Sequence, residues 1–413
     1  MRYEFGAGIA DYVVTPSDGL WSVAAGAIVS WWDSPTDGTQ YTDLQNLGGE
    51  AITEVKASEY GALPRFLGPP DVTGMWADAG GSSRAWVEAH QVSTDHASAP
   101  PVLDWLNVKE KFGAQGDGVA DDTAALQAAV QAAADAGGGT LYIPAGRYRL
   151  TTALAWASGV NAVGAGARAT ILQTTNQNND CITGTDISSV SLRDLQLSGP
   201  GRGFGSGVRF TRFSAPSTPE ISLRNILIQS FGGDGVFCHS LASSVLHRVR
   251  VRTCGGVGFH LQAPQDTILG GASLSLTGCT VEGCVTGGYW LDGMAYTSLA
   301  GCGVQGSPVG YRLEACTGVS LTGCGAEQCT TGLTVYGGTG NTATGFVTRS
   351  SDGTSVWITS AAKGIVLSGV TELAPGAGAT TCLRTDAGTV TTTLGLTAVK
   401  PNALSGTVIN PSA

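Results

Sequence analysis

Two carboxylates stand 22 residues apart in matching places, Asp292 in Tyr289-Trp290-Leu291-Asp292 and Glu314 in Tyr311-Arg312-Leu313-Glu314. In a strand, side chains alternate, so each tyrosine and leucine points one way and the residues beside them point the other. Stacked as successive coils, the two carboxyl groups lie about 5 Å apart. That is the separation of a retaining glycosidase pair, one group acting as acid and the other as nucleophile, and close carboxylates split their pKa values in the required sense. Trp290 adds a ring for stacking on a sugar, and Arg312 a planar cation for hydrogen bonding. The catalytic candidates are therefore Asp292 and Glu314. The glycan-binding candidates are Phe237, His260, Trp290 and Arg312, an outward ladder that continues to Thr334. A polar ladder of His239, Gln262, Asp292, Glu314 and Tyr336 runs beside it. A solvated edge that does no chemistry is the competing reading of the same residues.

Other candidates are weaker. Ser198, Gln229, Arg252, Glu282, Gln305 and Glu327 form a second polar column, in which Arg252 and Glu282 read as an ordinary surface ion pair. Glu282 and Glu327 are two coils apart, about 10 Å, slightly beyond an inverting pair. Gly301-x-Gly303-x-x-Gly306 matches a dinucleotide fingerprint in form, but no helix follows it, so its glycines read as turns. The ten cysteines include no Cys-x-x-Cys, and the five histidines no His-Glu-x-x-His. No metal or cofactor is expected.

What must position these groups is a repeat. Leu-x-x-apolar-x-apolar recurs at Leu192, Leu223, Leu246, Leu276, Leu299 and Leu321, each time followed by glycine and a second apolar strand. Steps of 22 or 23 residues suit one coil of a three-faced β-solenoid. The two longer steps imply inserted loops, around Gly199 to Gly205 or Ser214 to Glu220, and around Pro264 to Gly271. In the second strand Val236, Phe259, Tyr289, Tyr311 and Leu333 share an inward position with Cys238, Leu261, Leu291, Leu313 and Val335 two residues on. Cys279, Cys302 and Cys324 share one register, and Cys254, Cys284, Ser307 and Cys329 nearly share another, so they read as reduced, buried columns.

Ahead of the repeat, Thr123 to Ala136 carries the helical stripe Leu126, Ala129, Val130 and Ala133, closed by Gly137-Gly138-Gly139 and followed by the strand Thr140 to Ile143. Asp121 or Asp122 is its natural cap, so the aspartates at 117, 121 and 122 read as architecture. Asn107-Val108, Phe112-Gly113-Ala114 through Gly116-Asp117-Gly118, Asp121-Asp122-Thr123-Ala124 and Pro144-Ala145-Gly146-x-Tyr148 together resemble the opening motif of the pectate-lyase-like superfamily. That resemblance implies a right-handed parallel β-helix whose first open end is plugged by this helix. It implies no particular reaction, since the motif occurs in lyases, hydrolases and phage tailspikes. Gly233-Asp234-Gly235 resembles a rung turn of polygalacturonase-like hydrolases, but the further aspartate pair and Gly-His-Gly are missing.

The fold expected is all-β: a right-handed parallel β-helix over 105–340, with a capping helix at about 122–136, preceded by a small β-rich domain over 1–93 and a linker over 94–104. Residues 341–413 read as irregular coils and a region for subunit contact. Within 1–93, Arg2-Tyr3-x-Phe5-Gly6, Trp31-Trp32-Asp33, the run from Gly38 to Leu44 and the run from Phe66 to Asp78 resemble the N-terminal domain of minor tail proteins of actinobacterial phages. That resemblance implies a module docking on other tail or baseplate proteins. Resemblance to tailspikes implies a homotrimer on the virion that meets host-surface polysaccharide, either as an adhesin or as a depolymerase. A net charge of −10 argues against nucleic acid and anionic membranes as partners. No segment reads as a signal peptide or a membrane span.

Overall fold

The Leu-x-x-apolar-x-apolar template is a strand that turns a corner. In the computed structural model the residue inside it adopts a left-handed backbone in coil after coil: Asp194 (φ 60°), Asn225 (51°), Arg248 (53°), then Gly278, Gly301, Gly323, Gly345 and Gly369. A short polar side chain or glycine takes that conformation at least cost. The bend adds one residue between two inward positions, which is why the leucine and the next apolar residue are three apart. From the third coil of the template on, it also splits the segment into two short strands, such as Ser298–Ala300 and Gly303–Gln305.

The structure describes residues 2–6, 14–17, 20–59, 61–80, 84–89, 105–211, 220–263, 271–349, 353–373, 381–386, 391–394 and 404–405. The chain divides into two units, Met1–Val102 and Leu103–Ala413. The expected linker Thr94 to Pro101, the insertions at Ser214 to Glu220 and Pro264 to Gly271 (but for Glu220 and Gly271), and most of 387–413 lie outside the described residues.

The second unit is a right-handed parallel β-helix. Each coil sends one strand to an 11-stranded sheet, and the bent segment to a 21-stranded sheet that wraps the other sides. The expected leucine column is in register and buried: Leu192, Leu223, Leu246, Leu276, Leu299 and Leu321 pair in succession. Inside the 11-stranded sheet Phe259, Tyr289 and Tyr311 stack at 4.9 and 4.8 Å with nearly parallel rings. The tyrosine hydroxyls donate to the carbonyls of Cys279 and Cys302, so the buried oxygens are satisfied. Such ideal stacking needs the glycine before each aromatic. A Cβ at Gly288 would lie 2.5 Å from the Gly310 carbonyl oxygen of the next coil. All ten cysteines are buried and free, and the thiols of Cys279, Cys302 and Cys324 donate to carbonyls of the preceding coil.

At the first coil, helix α1 (Val108–Phe112), which the sequence reading did not anticipate, is capped by the Asn107 side chain. Helix α2 (Thr123–Asp135) buries the expected Leu126, Ala129, Val130 and Ala133. Three details correct the expectation. Asp117–Asp121 is itself a strand, which the motif spacing did not show. Asp122 sits at the helix cap without bonding it. Its buried carboxylate instead accepts from the N–H groups of Gln115 and Gly116 at 2.6 and 3.0 Å, tying down the preceding loop. Asp121 accepts from Thr123 and Thr151. The aspartates are architecture, as expected, by a different set of bonds.

The coils also do not become irregular at Gly340. Thr342–Thr344 and Val347–Arg349 pair on to Ile365–Ser368 and Thr371–Leu373 in unbroken register. The apolar template fades there because polar residues turn inward: Glu372 is buried and accepts from Ser355 Oγ at 2.7 Å.

The first unit has two main antiparallel sheets. Phe66–Pro70 is central to one, while in the other Ile28–Trp32 pairs with Gly74–Asp78, Gln40–Tyr41 and Val55–Lys56. Ala51–Ile52 and Val55–Lys56 are two short strands. Phe5, Trp31 and Phe66 interlock at its core, with Trp31 4.9 Å from Phe66.

Candidate functional site

The outward side of the 11-stranded sheet carries the candidate residues in the register expected. Phe237 pairs with His260, His260 with Trp290, Trp290 with Arg312 and Arg312 with Thr334. One strand position further on, His239, Gln262, Asp292, Glu314 and Tyr336 pair likewise. The strands Val257–Gln262, Gly287–Asp292 and Val309–Glu314 hold them because their alternate residues are locked in the core.

What spacing did not reveal is how these side chains use one another. Arg209 lies over the Phe237 ring (4.8 Å), Phe237 meets His260 edge-on (5.0 Å), and His260 stacks on Trp290 (4.7 Å). Arg312 lies over Trp290 (4.3 Å) and over Tyr336 (4.7 Å). Tyr336 meets Trp357 edge-on (5.6 Å), and Arg384 lies over Trp357 (4.5 Å). Eight side chains thus form one continuous column of rings and cations. Carboxylates flank its arginines: Asp180 is 3.0 Å from Arg209, Glu314 2.9 Å from Arg312, and Asp386 3.5 Å from Arg384.

This geometry alters the expected roles. Trp290 is half-buried, with His260 stacked on its ring and Arg312 over it, so it offers edge more than face. Thr334 is buried and does not extend the exposed ladder. Asp292 and Glu314 do sit on adjacent coils, but both Nε and Nη2 of Arg312 donate to one oxygen of Glu314, at 3.1 and 2.9 Å. Asp292 accepts from Gln262 at 3.2 Å through Oδ2, while its Oδ1 and the Trp290 indole N–H are buried without protein partners. Buried polar atoms left unmade are costly, and these two stand on the same strand.

A pair that the sequence reading passed over lies beside the column. Asp234, in the turn Gly233-Asp234-Gly235, reaches the next coil, where Oδ1 accepts from Val257 N–H at 2.7 Å and Oδ2 lies 3.2 Å from His260 Nδ1. Gly256 makes room, since a Cβ there would stand 2.2 Å from the Asp234 carboxylate. A carboxylate on Nδ1 fixes the tautomer in which Nε2 carries the lone pair and can take a proton.

The second polar column, on the other sheet, is also in register from Ser198 to Glu327. Its glutamates are occupied: Glu282 by Arg252 at 2.9 Å and Glu327 by Arg349 at 3.6 Å. Gly301 and Gly306 turn with positive φ and Gly303 lies in a strand, so the dinucleotide-like spacing is turn geometry. Among the described residues no three His, Cys, Asp or Glu side chains are grouped to hold a metal ion.

A profile of the family described as rhamnogalacturonase A/epimerase, pectate lyase-like, matches residues 105–334. The chain belongs to this pectate-lyase-like family. Mannuronan C5-epimerase AlgE4 of Azotobacter vinelandii is 43% identical over 107 residues, covering 22% of this chain and 19% of the epimerase. Depolymerase 1, capsule KN3-specific, of Klebsiella phage KN3-1 is 27% identical over 168 residues, covering 35% of this chain and 21% of that protein. The pectate-lyase-like chain thus matches about a fifth of the length of either relative. Among solved structures, the enzymatically active domain of tailspike protein 2 from bacteriophage CBA120 is similar with a TM-score of 0.49 at 15% identity, covering 77% of this chain and 45% of that one.

In this pectate-lyase-like β-helix the candidates chosen from sequence converge on one face, and four further members of its column, Arg209, Tyr336, Trp357 and Arg384, complete it. Their signal was present in the repeat, since Trp357 and Arg384 hold the same strand position as Trp290 two and three coils beyond Arg312.

Proposed function

We propose that this chain is a tailspike-type phage tail protein whose β-helix binds host-surface polysaccharide along the outward face of the 11-stranded sheet. Residues 1–93 dock it on other tail or baseplate proteins, and it works on the virion as a homotrimer. The observation that carries the polysaccharide reading is the unbroken column from Arg209 to Arg384. The fold does not require it, its rungs are about a strand spacing apart, and its ring edges and guanidinium groups suit the C–H and hydroxyl groups of a chain laid along it. The two relatives, a mannuronan epimerase and a capsule depolymerase, support a polysaccharide ligand.

Glycan contact is now assigned to edges, so Trp290 acts both by its own edge and by holding His260 and Arg312 in place. Trp290→Ala should weaken binding of the full chain to purified host-surface polysaccharide by about 1–2 kcal/mol, roughly tenfold. Unchanged binding would remove this face.

A second reading, depolymerisation, is favoured by the Asp234–His260 pair. His260 Nε2 would act as the proton-transfer group on a glycan in the column, with Asp234 orienting the ring and Asp292 and Glu314 flanking it. Under this reading His260→Gln abolishes release of reducing or unsaturated ends while binding persists, and Asp234→Asn lowers it strongly. Wild-type protein that binds and releases no ends leaves the adhesin and removes the enzyme.

A further inference from the structure

The arginines of the column, and Arg252 and Arg349 on the other sheet, each stand beside a carboxylate. Among the described residues, no carboxylate stands beside Arg168, Arg248 or Arg250. They are exposed, they line one cavity of about 330 Å³, and its wall, which includes Asn225, Gly278 and Thr280, contains no carboxylate. Arg248 is also the residue at the left-handed corner, with φ 53°, where the next five coils have glycine. A long side chain is held in a sparsely populated conformation with no return to the fold, since glycine serves that corner elsewhere.

A second cavity of about 560 Å³ adjoins this one, and Arg250 and Thr280 line both. The second exists because the outward column Arg250, Thr280, Gly303, Gly325 loses its side chains at the two glycines. A Cβ at Gly303 would meet nothing within 4 Å, so nothing in the fold demands glycine there. Glu282, Gln305 and Glu327 form one wall, with both glutamates ion-paired. The result is a trough along the solenoid, cationic at one end and floored by backbone at the other.

We propose that this trough binds an anionic glycan segment. Carboxylate, sulfate or phosphate substituents lie at Arg168, Arg248 and Arg250, and sugar rings lie on the Gly303–Gly325 floor. Charge complementarity selects this occupant. Three cations without counter-charge among the described residues, in a chain of net charge −10, form a local anion site against the overall field. The proposal deepens the polysaccharide reading, on which it rests for the class of ligand, but it names a different face and can fail separately.

The test titrates the full chain with three fluorescent hexasaccharides: an oligogalacturonate, a sulfated dextran oligomer and neutral maltohexaose. At least one anionic chain is expected to bind tenfold or more tightly than the neutral one, and which one it is tells carboxylate from sulfate. Arg248→Gly combined with Arg250→Gln should abolish that preference. Arg248→Gly installs the residue that sibling corners use, so folding is not at issue. Gly303→Leu places a side chain on the floor, where a Cβ has open space, and should weaken anionic binding at least tenfold. Trp290→Ala should leave it within twofold, even if that variant fails on host polysaccharide. Equal binding of anionic and neutral chains overturns the proposal, as does an anionic preference that survives the arginine changes or is lost with Trp290→Ala. Sedimentation of the same proteins completes the test: dissociation of an oligomer by Gly303→Leu would make the trough a subunit interface and overturn it too.

Discussion

Neighbouring residues of one strand obey opposite rules. Tyr289 and Leu291 point inward, repeat as Tyr311 and Leu313, and stack as near-copies with almost no exposure. Trp290 and Asp292 point outward, where the fold asks only for side chains that tolerate water. The inner column is therefore explained by burial, since each coil can hide its apolar face only against the next. The outer column has no such explanation. Order on that side, eight side chains in consecutive ring and cation contact with flanking carboxylates, is order the solenoid does not need. The other sheet sharpens the contrast, because its outward column breaks down to glycine at Gly303 and Gly325 and leaves a trough.

The strongest way to break this comparison is to charge the inner column. Leu299→Asp buries a carboxylate with no partner between Leu276 and Leu321, and should cost about 3–5 kcal/mol in denaturant unfolding. The neighbouring pair sharpens it. Tyr289→Ala should also cost about 3–5 kcal/mol, because it opens a cavity in the aromatic stack and removes the hydroxyl's bond to the Cys279 carbonyl. Trp290→Ala should cost only about 1 kcal/mol, the worth of lost ring and cation contacts at a half-buried site. Equal losses at 289 and 290 would make the outer column structural. The smallest effect is expected at the second polar column, where a double-mutant cycle of Arg252→Ala and Glu282→Ala should give a coupling of about 0.2–1 kcal/mol.

The cysteines test the inner columns chemically. Burial pushes the Cys238 and Cys316 thiols up to about 12, so alkylation of these two in the folded chain should be very slow. After unfolding without reductant, intact mass should show ten labelled thiols, and a shortfall would mean disulfides.

Most of the coil was legible from sequence because burial in a solenoid is periodic. The leucine column, the second-strand register and the stripe of α2 are all consequences of alternation and step length. The extra residue in Leu-x-x-apolar was visible as spacing, though its cause, a left-handed corner, was not. Beyond Gly340 the pattern could not be followed because Thr348 and Glu372 turn inward in place of apolar residues, and polarity then no longer reports direction. At the site, spacing gave which residues share a face but not what their side chains touch. Stacking of His260 on Trp290 and of Arg312 between two rings depends on side-chain torsions, which no periodicity encodes. Asp234 drew notice only through a hydrolase-like turn whose partner motifs are missing; it lies outside both repeats, and only the crossing to the next coil brings it to His260.

The central claim is that a glycan lies along the edges of the outer column. Hydroxyl-radical footprinting of the full chain with and without saturating host-surface polysaccharide tests it most directly, since Trp290, Tyr336 and Trp357 lie on the column and Trp86, in the first unit, is an exposed internal control. Protection of the three column aromatics with Trp86 unchanged is the expected result. Bound polysaccharide that leaves all three as reactive as before, or that protects Trp86 instead, would contradict it.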